Sequence, residues 1–205
     1  MTHCNAGALA TCGWGTATAP LFLAHAEGLA LHVWVSETRP RLQGANLTAW
    51  EMQRRGVPHT LFADAASALL MRRGDVDIVL VGADRVAAQR RRLQQDRHLR
   101  QGARRARQRR AVLRRAAVAD ARRRRSRPAS AIPIEARSPD EVLAITGRDG
   151  YGQTTTVAIA PEGTRAVNYA FDVTPARLVT GLITERGIAA ADRDAIGALF
   201  PERFR

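Results

Sequence analysis

Three short apolar runs limit the fold most: "LHVWVSE" (Leu31–Glu37), "PHTLFA" (Pro58–Ala63) and "DIVLVGA" (Asp77–Ala83). Each is rich in Val, Ile or aromatic residues and predicts a buried strand. Each is preceded by a segment with helical spacing: "GTATAPLFLAHAEG", "LTAWEMQRRG" and "DAASALLMRRG". All three segments end on a glycine, and the last two carry Arg-Arg in the final turn, as helix C-termini favour. Strands alternating with helices across short loops predict an α/β, Rossmann-like parallel sheet with helices on both faces. Further on come "IPIEARSPDEV", a strand candidate in "TTTVAIA" and two helices. The first of these helices is expected over "TPARLVTGLITERG", with Thr174 as N-cap and Pro175 at the first helical position. There is no internal repeat.

The segment Gln89–Pro128 breaks this pattern. It holds 17 arginines, two acids and no lysine, a formal +15 within a 205-residue chain whose total is +13. The remainder is therefore mildly acidic, and a sequence pI near 11.5 describes only the insert. Such a run suits a nucleic-acid arm or a helix on an anionic membrane. The two cysteines, Cys4 and Cys12, do not look like a disulfide framework, and no apolar run is long enough to span a bilayer. The expected compartment is the cytoplasm, with no membrane partner.

In open α/β sheets, ligands bind at the carboxyl ends of the strands. Three polar clusters fall there: "THCNAG" at the start, "SETRPRLQG" at the end of "LHVWVSE" and "GADR" at the end of "DIVLVGA". Taken singly, each could cap a helix or make a turn. Convergence of the three on one rim predicts a site. Cys12 reads as a packing residue, Trp50 and Met52 as an apolar helix face, and His25, His32 and His59 as surface or core residues without a partner pattern.

Together "THCNAGALAT", "ETRPRLQGANLTAWE", "VGADRVAA", "IPIEARSPDEV" and "AFDVTPARLVTGLITERG" resemble the methylthioribose-1-phosphate isomerases of methionine salvage. That fold is shared with ribose-1,5-bisphosphate isomerases and with regulatory subunits of a translation-initiation exchange factor. The resemblance implies Cys4 as the catalytic cysteine, Asp84 as the catalytic proton donor and Gln43 as a substrate-binding residue. It implies a sugar phosphate as substrate, no metal, no nucleotide cofactor, no nucleic-acid partner and a homodimer for the intact protein. Ser36 stands where the family usually has an acid. The chemistry suits these residue types. A cysteine leading into a helix N-terminus can have its pKa lowered from about 8.5. An aspartate in an apolar site can be raised enough to hold a proton at neutral pH. Two alternatives stay open: a non-catalytic regulatory subunit, which the cysteine motif argues against, and nucleic-acid binding through the arginines.

Where the family runs Asn-Gly-Asp, then Asn-Lys-Ile-Gly-Thr-Tyr, then Pro-Phe-Tyr-Val-Ala, this chain has "QRRRLQQDRHLRQGARRARQRRAVLRR". With permitted codons, Gln89–Arg92 written CAA CGG CGA CGT C reads one nucleotide later as Asn-Gly-Asp-Val. Gln94–Leu99 gives Asn-Lys-Ile-Gly-Thr-Tyr in the same way, and Ala111–Arg115 gives Pro-Phe-Tyr-Val-Ala. In a GC-rich gene, shifted Gly, Ala, Val and Asp codons become CGN, which is arginine. The segment is read as a frameshifted strip, dividing one domain into 1–88, 89–131 and 132–205. The strip is expected to be helical or irregular. Met1 lies where the family is in mid-domain, so the resemblance implies a C-terminal catalytic domain only. It also implies that the strand delivering Cys4 is cut away and that the chain as written is inactive.

Overall fold

The computed structural model describes residues 1–86, 93–95, 112–116 and 133–204. Strands are numbered along the chain. β1 (Thr2–His3), β2 (Val33–Glu37) and β3 (His59–Ala63) form one parallel ladder, in register at Thr2–Val35 and Val33–His59. β4 (Val79–Ala83), β7 (Val112–Ala116) and β11 (Gly181–Thr184) form another, closed by the antiparallel edge strand β12 (Gly187–Ala189). Met1 joins the two. Its backbone N donates to Ile78 C=O at 2.8 Å and its C=O accepts from Leu80 N–H at 3.0 Å. The order is β3-β2-β1-β4-β7-β11-β12, a doubly wound arrangement with a reversal of chain order between β1 and β4.

The alternation of β2 shows why helices lie on both faces. Val33 and Val35 pack with Phe22, Met52 and Val57 on one side, from α2 (Ala19–Ala26) and α3 (Trp50–Arg54). Trp34 turns the other way, onto Met71, Val76, Val79 and Val81, beside α4 (Ser67–Arg73). Each fully buried side chain of this kind contributes roughly 1.5–3 kcal/mol. Pro20 sits in the first turn of α2, and α4 ends on Gly74 at φ +93°, a left-handed cap that favours glycine. No helix among the described residues is long and apolar enough to cross a membrane.

Three expectations are corrected. The strand carrying Cys4 is present, as the two-residue β1 extended by Met1's two bonds. Thr174–Gly187 is not a helix. Thr174 ends β10 (Asp172–Thr174), Ala176–Leu178 makes one tight turn, and β11 and β12 follow as a hairpin. Thr174-Pro175 favoured a helix start, but Leu182 is buried in the sheet and β11 gains ladders on both edges, an outcome set by tertiary context.

The third correction concerns the strip, which holds two strands. β6 (Leu93–Gln95) lies between β5 (Arg85–Val86) and β10 in a small antiparallel sheet, and β7 lies between β4 and β11. Bonding partners on both sides impose extended backbone there. The rest of the strip lies outside the described residues. A hairpin of β8 (Ala144–Arg148) and β9 (Thr154–Ala158) follows α5 (Asp140–Leu143), and α6 (Arg193–Leu199) closes the fold, its N-cap Asp192 accepting from Ala195 N–H.

Candidate active site

The reversal of chain order between β1 and β4 opens a crevice at their carboxyl ends, where open α/β sheets hold ligands. Cys4 follows β1 and Asp84 follows β4, so the two residues flank that crevice. The loop after β1 packs against the end of β4: a Cβ added at Gly82 would stand 2.8 Å from Ala6 Cβ. Gln43 comes from the loop after β2, and Cys4 Sγ donates to Gln43 Oε1 at 2.9 Å. Arg39 and Arg41 of that loop reach the region after the strip. Arg39 Nη2 donates to the carbonyls of Val142 and Ala144, and Arg41 pairs with Glu141 at 2.8 Å. Arg41, with Asn168, holds the Glu141 carboxyl down to about 2.

Cys4 is buried and its φ is +57°, in the left-handed region. For a residue with a side chain this conformation costs on the order of 1–3 kcal/mol and persists only where the surroundings hold it. Thr48 Oγ1 donates to Cys4 C=O. Asn5 Nδ2 donates to Thr48 Oγ1 and to Glu51 Oε1, both at 3.1 Å. Glu51 also accepts from Ala8 N–H at 2.8 Å and Leu9 N–H at 3.2 Å, the start of α1 (Ala8–Thr11). The N–H groups of this helix start, which the sequence offered as a means of favouring a thiolate at Cys4, are therefore bonded to Glu51. His3 Nδ1 and Ser36 Oγ, 2.9 Å apart, tie β1 to β2.

Gln43 reaches Cys4 because the helical segment behind it comes close to β2. Gly44 opens a π-helical turn, Gly44–Ala49, that runs straight into α3. A Cβ at Gly44 would lie 2.7 Å from Ser36 O, so only glycine fits. The Glu37 carboxylate accepts from Thr38 N–H and Ala45 N–H, which closes the loop.

Asp84 is open to solvent on one side, yet desolvation by the protein around it pushes its carboxyl above the usual range. Arg85 and Arg137 oppose that shift without cancelling it. An acid whose folded pKa is raised supports the fold most fully below its unfolded value of about 3.8, and that support is lost as pH rises through the folded pKa. Asp84→Asn, which cannot ionise, is therefore expected to melt higher than the parent at pH 7 and close to it at pH 4. Equal melting at both pH values would remove desolvation as the cause. Arg85, next in the chain, pairs in the ladder with Gln94, and Gln95 pairs with Asp172. The strip thus passes the rim beside Asp84.

Sequence reasoning missed Glu51 and Thr48. Their signal was present: Gly44, Thr48 and Glu51 are spaced i, i+4 and i+7, one helix face, and all three are buried. Trp50 and Met52 do not share a face. Met52 is buried, whereas Trp50 is exposed with Arg54 over its ring, because residues two apart on a helix point apart. Cys12, expected to pack, is exposed. His32 reaches Thr60 Oγ1, and His59 reaches Val57 C=O.

Against known proteins, the profile of the Initiation factor 2 subunit family matches residues 1–191. Methylthioribose-1-phosphate isomerases of Brucella anthropi and Rhizobium meliloti are each 50% identical to this chain over 220 aligned positions, covering 99% of it and 56% of their own length. The crystal structure of 5-methylthioribose 1-phosphate isomerase from Pyrococcus horikoshii OT3 superposes with a TM-score of 0.83 at 35% identity, covering 98% of this chain and 54% of that one. Translation initiation factor eIF-2B, subunit delta, from A. fulgidus has the same TM-score, 0.83, at 32% identity, covering 97% and 55%. The chain thus spans about half the length of the relatives it matches.

Proposed function

The chain belongs to the Initiation factor 2 subunit family, and from that premise we propose that it carries the catalytic domain of an isomerase converting S-methyl-5-thioribose-1-phosphate to methylthioribulose-1-phosphate. The observation that carries the reading is the Cys4–Gln43 contact at the switch point, with Asp84 across the crevice. In the conversion the bond between C1 and the ring oxygen breaks, and the ring oxygen takes a proton from Asp84. The hydrogen on C2 moves to C1 under the control of Cys4. The C2 hydroxyl gives up its proton and becomes the ketone, which restores the proton count. Phosphate stays on C1 throughout, so no free aldehyde forms. Gln43 holds Cys4 in place and offers its amide N–H to a sugar hydroxyl. Residues 1–88 and 132–205 belong to one domain in this reading, with 89–131 a frameshifted strip through its sheet.

The equal structural similarity to the A. fulgidus protein supports a second reading, a non-catalytic regulatory module. Cys4 separates the two, since a reactive thiol in a strained turn has no task in a purely structural domain. The test is to supply this chain with the part of its relatives' length that it does not span and to follow methylthioribose-1-phosphate by proton NMR. Replacement of the C1 anomeric signal by a C1 methylene pair is expected. A substrate that stays unchanged while the protein is folded supports the regulatory reading instead.

A further inference from the structure

We propose that Glu51 is a positioning residue for Cys4, acting from the far side of the turn through the N–H groups it gathers. The inference rests on the reading of Cys4 as the reacting group. Glu51 is only 3% exposed, yet among the described residues no arginine pairs with it. Oε1 accepts from Asn5 Nδ2 and Leu9 N–H, and Oε2 accepts from Ala8 N–H. Asn5 in turn accepts from Gly7 N–H at 3.2 Å and donates to Thr48 Oγ1, whose hydroxyl holds Cys4 C=O. One carboxylate therefore fixes both ends of the turn Cys4–Leu9, and with it the left-handed backbone at Cys4. Gly7 is the matching half of the device. A Cβ there would meet both carboxylate oxygens at 2.4 Å, although the Gly7 backbone (φ −95°, ψ −167°) would accept alanine.

The chemistry demands an acceptor on both oxygens. In Glu51→Gln one oxygen becomes an amide NH2, which faces either Ala8 N–H or the pair from Asn5 and Leu9. Either orientation sets donor against donor. The turn then opens locally while the layers around it persist.

The experiment reads the thiol itself. In a Cys12→Ser background Cys4 is the only cysteine, and its alkylation by iodoacetamide is followed by mass spectrometry between about pH 6 and 9. Glu51→Gln is expected to speed alkylation at least about tenfold at every pH, since a charge-assisted bond that held the turn is gone. Gly7→Ala, which displaces the same carboxylate by contact, is expected to do the same and decides the matter should Glu51→Gln fail to fold. Val57→Ala serves as control: it weakens the core under α3 without touching the turn and is expected to leave the rate within about twofold. Unchanged rates in both turn variants, or an equal rise in Val57→Ala, overturn the proposal. Turnover surviving Cys4→Ser would instead sink the functional reading, while the alkylation result would stand.

Discussion

Cys4→Ser, in a protein that turns over methylthioribose-1-phosphate, is expected to lower kcat by roughly a hundredfold to ten-thousandfold, the usual range for a group that handles a proton in the transition state. KM should move far less. Serine preserves the size of the side chain and can still donate to Gln43, so the pocket keeps its shape. What is lost is a group whose ordinary pKa, about 8.5, lies near working pH. Asp84→Asn should give a loss of the same order by another route, since an amide cannot deliver a proton to the opening ring. The double variant should be little worse than either single one, because the two groups serve one transition state. Steady-state kinetics on the three variants checks this. Retention of more than a tenth of parent activity by Cys4→Ser would show that the thiol is not needed.

On the reading of 89–131 as a frameshifted strip, restoring the frame is expected to raise the melting temperature by about 10 °C, the effect of a few kcal/mol in a domain of this size. The reason lies in the place of β7. It bonds to β4 on one edge and β11 on the other, a central position in the sheet. Parallel strands so placed are near-continuous apolar runs. Here Ala111–Arg115, which overlaps β7, reads "AVLRR", whereas one nucleotide later it allows Pro-Phe-Tyr-Val-Ala. The repair would also put Asn-Lys in place of Gln94 and Gln95, of which Gln94 pairs in the ladder with Arg85, the residue after Asp84. A lysine there offers an anionic substrate a charge-assisted bond worth about 1.5–3 kcal/mol, so affinity should rise with stability. The gene supplies an independent check. Its own codons, read one base later across the strip, should give the three family blocks, and stops or an unrelated peptide would remove the basis for the repair.

β2, β3, β4 and the helices before them were legible, because alternating and helical periodicities are local properties of a chain that must bury one face. The rim carrying Cys4, Gln43 and Asp84 was legible as well, because in a parallel sheet every loop after a strand lies on the same side. Thr174–Gly187 was misread: its local signals favour a helix, and the pairing partners that make it a hairpin lie far away in the sequence.

The sequence by itself therefore determined the layer architecture, the shared rim and the residues offered to it. Only the tertiary structure decided that Cys4 takes a left-handed backbone, that its thiol meets Gln43, and that Glu51 closes the turn around it. The physical reason is range. Periodicity and capping act within a few residues, whereas Glu51 stands 43 positions from Ala8, and their 2.8 Å bond exists only once Gly44 lets its helix settle against the end of β2.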